Sequence, residues 1–316
     1  MSTLWAGYSA SDFAGRRGEA ARAALPPDAV FFVFDVYQKH ALEHVLPGAH
    51  IVCAAHVPPG EWDEIRLKTG PKRMAGELAL SLLQEIHLVK PRRFTLDWEG
   101  RERDKNEFLD KIRKDPDRVR DFGATWTASV PGGPRLAFKS YPGCFCHRRL
   151  DEGGLALAEV VARDWAGKTA EGEPRRLLDM GCGCGLVSCL VASVVPNLSL
   201  TLIDSHARAV EAARENVASF GYPAEVVLAD DGIATLKNAK HRFDIFVGNP
   251  PYYSDYRIAD LFLDTARKAL KWGGACYTVC KNAAGLEPVQ KRYFPSVEIV
   301  HRRGYAVLKS IHKEFL

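Results

Sequence analysis

The stretch that most constrains this chain is residues 175–185, Arg-Arg-Leu-Leu-Asp-Met-Gly-Cys-Gly-Cys-Gly. The apolar run at 177–180 reads as a buried strand, and it stops in three alternating glycines, Gly181, Gly183 and Gly185. Helical spacing follows at once over 186–195. A strand that ends in glycines before a helix brings bare backbone close to a ligand at the helix N-terminus. The spacing narrows the ligand. A dinucleotide fingerprint needs Gly-x-Gly-x-x-Gly, but the sixth position counted from Gly181 is Leu186. What stands here is an acid, Asp179, placed two residues before the first glycine. A glycine turn with a purely structural task is the alternative.

Three further strands carry polar groups at their carboxyl ends. Residues 198–204 end in Asp204, about 20 residues past the glycines, where an acid accepts hydrogen bonds from both ribose hydroxyls of a nucleoside. Its alternative is an N-cap for the helix that starts near 207, a task Asp204 or Ser205 can equally perform. Residues 224–229 end in Asp230-Asp231, for which turn capping is the plain reading. Residues 243–248 deliver Asn249-Pro250-Pro251-Tyr252 to the edge where ligands sit in open parallel sheets;.

That last motif suits one kind of chemistry. An exocyclic amine on a base is a poor nucleophile, because its lone pair is delocalised into the ring. The Asn249 side-chain oxygen and the Pro250 carbonyl can each accept one of its N–H bonds, which favours a pyramidal nitrogen. Pro250 and Pro251 stiffen the backbone, and Tyr252 offers a face for a flat base. Positioning supplies most of the effect, so neither a metal nor a strong general base is required.

The Asp179-x-Gly181-x-Gly183-x-Gly185 turn resembles the first motif of class I S-adenosylmethionine-dependent methyltransferases. In that family the acid lies near the methionine end of the cofactor, and the acid after the third strand contacts adenine. The resemblance therefore assigns Asp179, Gly181, Gly183, Gly185, Asp204 and Asp230 to S-adenosylmethionine, with Asp231 as the fallback for Asp230. The Asn-Pro-Pro-aromatic signature is shared by adenine-N6, cytosine-N4, guanine-N2 and protein glutamine-N5 methyltransferases. Two more segments are similar to the "small domain" group that includes the bacterial ribosomal RNA guanine-N2 enzymes. They are Pro142-Gly-Cys-Phe-Cys through Leu150-Asp-Glu-Gly-Gly154, and the tail Arg303-Gly-Tyr-Ala-Val-Leu-Lys-Ser310. The likeness spans about residues 136 to 312. It implies that Phe145 lines the cofactor pocket and that Asp151 shapes its entrance. Cys146 replaces the usual serine, and Tyr252 stands where the guanine-N2 enzymes often have Phe.

At 316 residues the chain is long enough for two domains. Strand-like runs at 30–34, 51–55 and 94–98 and helical spacing at 75–88 and 105–114 make the first part α/β as well, without a glycine cluster or Asn-Pro-Pro. Residues 1–28 read as a mobile arm or frayed helix. The expected division is an arm at 1–28, a degenerate methyltransferase-like domain at 29–130, and a catalytic domain at 131–316, the boundary falling in Ala124 to Arg135 with Pro131-Gly-Gly-Pro134 as its clearest break;. The expected fold is Rossmann-like α/β, with a seven-stranded mostly parallel sheet in the catalytic domain. Its last strands, 297–300 and 305–310, should form an antiparallel hairpin.

A net charge of +4 permits nucleic acid as a partner without demanding it. Basic residues crowd one stretch (Lys90, Arg92, Arg93, Arg101, Arg103, Lys105, Lys111, Arg113, Lys114), interleaved with acids. It reads either as a solvated face or as an RNA-backbone patch. The eight cysteines lack paired Cys-x2-Cys spacing and read as reduced small hydrophobes, with no metal expected. No apolar run approaches the roughly 18 residues of a membrane span, and the N-terminus lacks the apolar segment of a signal peptide. The expectation is a cytoplasmic enzyme that methylates guanine N2 of ribosomal RNA, with the RNA or a ribosomal subunit as its partner. Adenine-N6 or glutamine-N5 methylation is the first alternative, and a non-catalytic RNA-binding assembly protein the second.

Overall fold

The computed structural model describes residues 2–74, 76–113, 119–168, 174–232, 240–251 and 256–314. The chain divides into two units: Met1–Gly123 with 141–143 and 206–208, and the remainder from Ala124 onward.

The first unit is built on a five-stranded parallel sheet in the order β3-β2-β1-β4-β5. Its strands are β1 (Thr3–Ala6), β2 (Ala29–Val33), β3 (His50–Cys53), β4 (Glu64–Thr69) and β5 (Arg93–Trp98). Its helices are α1 (Gly15–Ala23), α2 (Val36–Val45), α3 (Gly76–Val89) and α4 (Glu102–Arg113). The expected mobile arm at 1–28 is corrected here. Thr3–Ala6 is the central strand, paired with β2 on one side and β4 on the other, and Leu4 is 0% exposed. Phe31 and Phe32 alternate onto opposite faces of this sheet and join separate cores. A strand covered on both faces must be apolar at every position, which is why 30–34 reads as one unbroken run.

At the carboxyl end of β1 the first unit is packed with its own charges. Lys68 Nζ and the Arg73 guanidinium both reach the Asp12 carboxylate, Lys68 at 2.6 Å, and Arg73 also donates to the Gly7 carbonyl at 2.8 Å. A side chain at Gly7 would meet the Lys68 carbonyl oxygen at 2.2 Å. Self-paired charges thus stand at the carboxyl end of β1, on the edge that a nucleotide uses in such sheets;. Five residues of the basic stretch are paired with acids: Arg92 with Asp63, Arg93 with Glu64, Arg101 with Asp104, Arg103 with Glu107 and Lys105 with Glu102. These pairs lie on the surface, as a solvated face would have them;.

The second unit opens with an antiparallel hairpin, β6 (Ala124–Ala128) and β7 (Leu136–Ser140). The Pro131–Pro134 break is its turn, so the division falls at Gly123 and not at 130. Then come α5 (Glu152–Trp165), β8 (Arg175–Met180), α6 (Leu186–Ala192), β9 (Leu198–Asp204), α7 (Ala207–Ser219), β10 (Ala224–Leu228) and β11 (Phe243–Gly248). The chain ends with α8 (Arg257–Ala269), β12 (Leu270–Cys280), α9 (Ala283–Lys291), β13 (Glu298–Arg302) and β14 (Tyr305–Ile311). The seven strands lie in the order β10-β9-β8-β11-β12-β14-β13, parallel except for β14, which runs against both neighbours. The Rossmann-like class, the strand number and the closing hairpin are as expected. The first five positions, β10-β9-β8-β11-β12, repeat the order of the first unit's sheet, although the two halves show no visible sequence repeat. No described helix is long and apolar enough to cross a membrane.

Candidate active site

Strand pairing gathers the sequence motifs at one edge. β8 lies between β9 and β11, with Met180 opposite Ile203 on one side and Gly248 on the other. The glycine turn, Asp204 and Asn249 therefore leave adjacent strand ends. β10 lies beside β9, with Leu228 opposite Asp204, which puts Asp230 two residues further along the same edge. Asp230 is half-buried.

The turn is held by its own backbone. The N–H groups of Gly181 and Cys182 both donate to the Ile203 carbonyl, at 2.8 and 3.0 Å, and the Gly183 N–H donates to the Asp204 carboxylate at 2.8 Å. All three glycines have positive φ. A Cβ at Gly181 would meet the Phe262 ring at 2.9 Å, and one at Gly248 would meet the same ring at 2.9 Å. Phe262, on α8, is thus wedged against two glycines at neighbouring strand ends. Its only sequence signal was a place on an apolar helix face.

Asp179 is 3% exposed, and its carboxylate accepts from Ser188 Oγ of α6 at 2.6 Å. Burial pushes this carboxyl up to about 7; Ser188 opposes the shift and the Asp204 charge adds to it. Ser188 was not singled out in the sequence, where a serine inside an apolar helix carries no functional mark.

These groups define what the edge can hold. Three acids, Asp179, Asp204 and Asp230, stand at the ends of successive strands. Three turn N–H groups are already paired within the protein. A pyrophosphate would meet carboxylates where it needs donors. A ligand with a cationic group and vicinal hydroxyls finds suitable acceptors, and that is the chemistry of S-adenosylmethionine.

Asn249 is half-buried and Pro250 buried at the end of β11, with Pro251 following. Asn249 Nδ2 donates to Asp151 Oδ2 at 3.0 Å, across 98 positions of sequence. Asp151 is also the N-cap of α5, its Oδ1 accepting from the Gly153 N–H at 3.0 Å. Burial raises the Asp151 carboxyl above its ordinary value, against the pull of the Gly154 N–H, the Asn249 amide and the Gly153 N–H. A Cβ at Gly154 would lie 2.6 Å from Asp151 Oδ2. The structure therefore joins Asp151 to the amine motif, a link absent from the sequence reading. Phe145 is 65% exposed, on the turn that leads to Asp151. Tyr252 lies outside the described residues.

The eight cysteines are free thiols. Burial pushes those of Cys182 and Cys184 well above their ordinary range, which keeps them protonated and inert;. Among the described residues no group of three or more His, Cys, Asp or Glu side chains is gathered as a metal site.

Residues 135–309 match the family model "Methyltransferase small domain". The ribosomal RNA large subunit methyltransferase G of Pseudomonas putida is 28% identical over 265 residues, 81% of this chain and 61% of that protein. The ribosomal RNA small subunit methyltransferase C of Cronobacter sakazakii is 30% identical over 173 residues, 54% of this chain and 47% of that protein. The chain thus spans about half to three fifths of the length of these curated relatives. Among solved structures, the T. thermophilus 16S rRNA N2 G1207 methyltransferase, in complex with AdoMet and guanosine, matches with a TM-score of 0.76 at 16% identity. The match covers 99% of this chain and 88% of that one, and it shows a common fold.

Proposed function

Since the chain belongs to the methyltransferase small domain family, we propose that it transfers a methyl group from S-adenosylmethionine to an exocyclic amine, the N2 of a guanine in ribosomal RNA. The observation that carries this reading is the place of Asn249 and Pro250. They end the strand next to the acid-flanked glycine turn, in register with it. The two curated relatives named above are ribosomal RNA methyltransferases, and the T. thermophilus protein was solved with AdoMet and guanosine. Both facts favour RNA over a protein glutamine as the acceptor.

When bound, the cofactor supplies an electrophilic methyl group on a sulfonium. Asp204 would hold the ribose hydroxyls while bracing the glycine turn through Gly183. Asp179 would face the methionine end, Asp230 the adenine, and Phe145 would cover the cofactor from the solvent side. The Asn249 side-chain oxygen and the Pro250 carbonyl would accept the two amine N–H bonds, leaving the nitrogen lone pair to face the methyl. Pro251 and Tyr252 would flank the base, the latter assigned from the sequence alone. As the new C–N bond forms the amine becomes acidic, and its proton is lost to water. Action on ribosomal RNA would place the enzyme in the cytoplasm. The first unit, with the same strand order and self-paired charges at the end of β1, would be a degenerate copy of the catalytic one.

The test is incubation with methyl-labelled S-adenosylmethionine and ribosomal RNA from a host lacking the enzyme, followed by digestion to nucleosides. Label in N2-methylguanosine is the expected result. Label in N6-methyladenosine, in protein alone, or in nothing contradicts the acceptor assignment.

A further inference from the structure

We propose that Asp151 is a positioning residue for methyl transfer: it fixes which end of the Asn249 amide faces the acceptor amine. This rests on the amine-methylating reading of the site. An asparagine amide has nearly the same shape when turned by half a rotation, but its two ends are chemically opposite. Only the oxygen can accept an amine N–H; the NH2 end would set hydrogen against hydrogen. The Asn-Pro-Pro motif therefore needs a second group that tells the two orientations apart.

Asp151 is such a group. An ionised carboxylate only accepts hydrogen bonds, so its Oδ2, 3.0 Å from Asn249 Nδ2, can bond the NH2 end alone. The reversed amide would put two oxygens face to face at that distance and leave a half-buried NH2 turned on the substrate. The carboxylate is itself held in place. Its Oδ1 caps α5 through the Gly153 N–H, and the positive end of that helix favours the charged form. The absent side chain at Gly154 leaves room for Oδ2, since a Cβ there would lie 2.6 Å away. The bond from the Gly153 N–H uses Oδ1, and serine or asparagine would cap as well;; a cap alone does not explain Oδ2 on Asn249.

The test uses the full chain with Asp151→Ser, Asp151→Asn, Asn249→Asp and the double variant D151N/N249D. The first two keep a capping side chain, so α5 should fold and calorimetric S-adenosylmethionine affinity should stay within about 3-fold of wild type. With Asp151→Asn the new NH2 attracts the Asn249 oxygen, and kcat should fall on the order of 100-fold with the acceptor KM little changed. Asn249→Asp alone sets two carboxylates together and should also be slow. The double variant restores an acceptor that faces both the amide at 151 and the substrate amine, and it should be at least about 10-fold faster than D151N. Wild-type kcat in D151N, or a double variant no faster than D151N, would overturn the proposal. A second readout is independent of the acceptor. The Asn249 side-chain NH2 signals, assigned by NMR, should exchange slowly in wild type and quickly in Asp151→Ser. Should ribosomal RNA prove not to be the acceptor, this exchange difference still supports the proposal, and its absence still overturns it.

Discussion

The Gly183 backbone N–H donates to the Asp204 carboxylate at 2.8 Å, tying the glycine turn after β8 to the end of β9. One acid therefore sets the shape of the turn and stands where ribose hydroxyls would be read. Asp204→Ala should weaken S-adenosylmethionine binding by at least about 10-fold, since it removes charge-assisted acceptors and the brace together. Isothermal calorimetry checks this; unchanged affinity would remove Asp204 from the cofactor site.

The glycines at 183 and 185 separate strain from ligand access. Both have left-handed φ, +55° and +83°, which costs a side chain roughly 1–2 kcal/mol. A Cβ at Gly185 would also meet Leu202 Cδ2 at 3.2 Å, whereas nothing lies within 4 Å of one at Gly183. Gly185→Ala should therefore lower unfolding stability more than Gly183→Ala. The latter should show the larger loss of cofactor affinity for its stability cost, because its methyl enters the open side of the turn. Urea melts and calorimetry on both variants decide the point, and equal behaviour would contradict it.

Burial holds the Asp179 carboxyl up to about 7, while in the unfolded chain it ionises near 4 (~3.9). Between those values the folded state keeps a proton that the unfolded chain has released. The stability from this group is complete below about pH 4 and is lost as pH rises through 7, a change on the order of 4 kcal/mol. Asp179→Asn should flatten that slope and make the cofactor-free protein more stable than wild type at pH 8. Parallel urea midpoints for the two proteins from pH 5 to pH 8 would refute this.

Leu4 is 0% exposed on the central strand of the first unit. Leu4→Ala should destabilise that unit by about 2–5 kcal/mol, measured by urea unfolding. A neutral effect would mean that residues 3–6 are not the strand described.

The catalytic sheet was legible because each of its central strands is an apolar run that stops in glycine, acid or Asn-Pro. Other elements carried no such mark. Thr3–Ala6 has four residues, too few to show a period, and its burial comes from neighbours distant in sequence. Glu64–Thr69 alternates charged with apolar residues, the period of a half-buried strand, but over six residues with three charges among them;. In the structure Arg66 lies over the Trp5 ring at 4.7 Å and Lys68 pairs with Asp12, so long charged side chains lie on the sheet;. Pro131-Gly-Gly-Pro134 reads as a domain break but is the turn of the β6–β7 hairpin, and from sequence the two read alike. The Asp151–Asn249 bond joins residues 98 positions apart, and no local spacing reveals such a pair.

The central claim is that Asn249 holds the guanine amine during methyl transfer in ribosomal RNA. The most direct measurement is mass spectrometry of nucleosides from the ribosomal RNA of a strain lacking this gene, complemented with wild type or with Asn249→Ala. The account predicts that N2-methylguanosine falls by one site per ribosome in the deletion, returns with wild type, and does not return with Asn249→Ala, although that variant binds S-adenosylmethionine normally. An unchanged N2-methylguanosine content in the deletion, or its full restoration by Asn249→Ala, would contradict it.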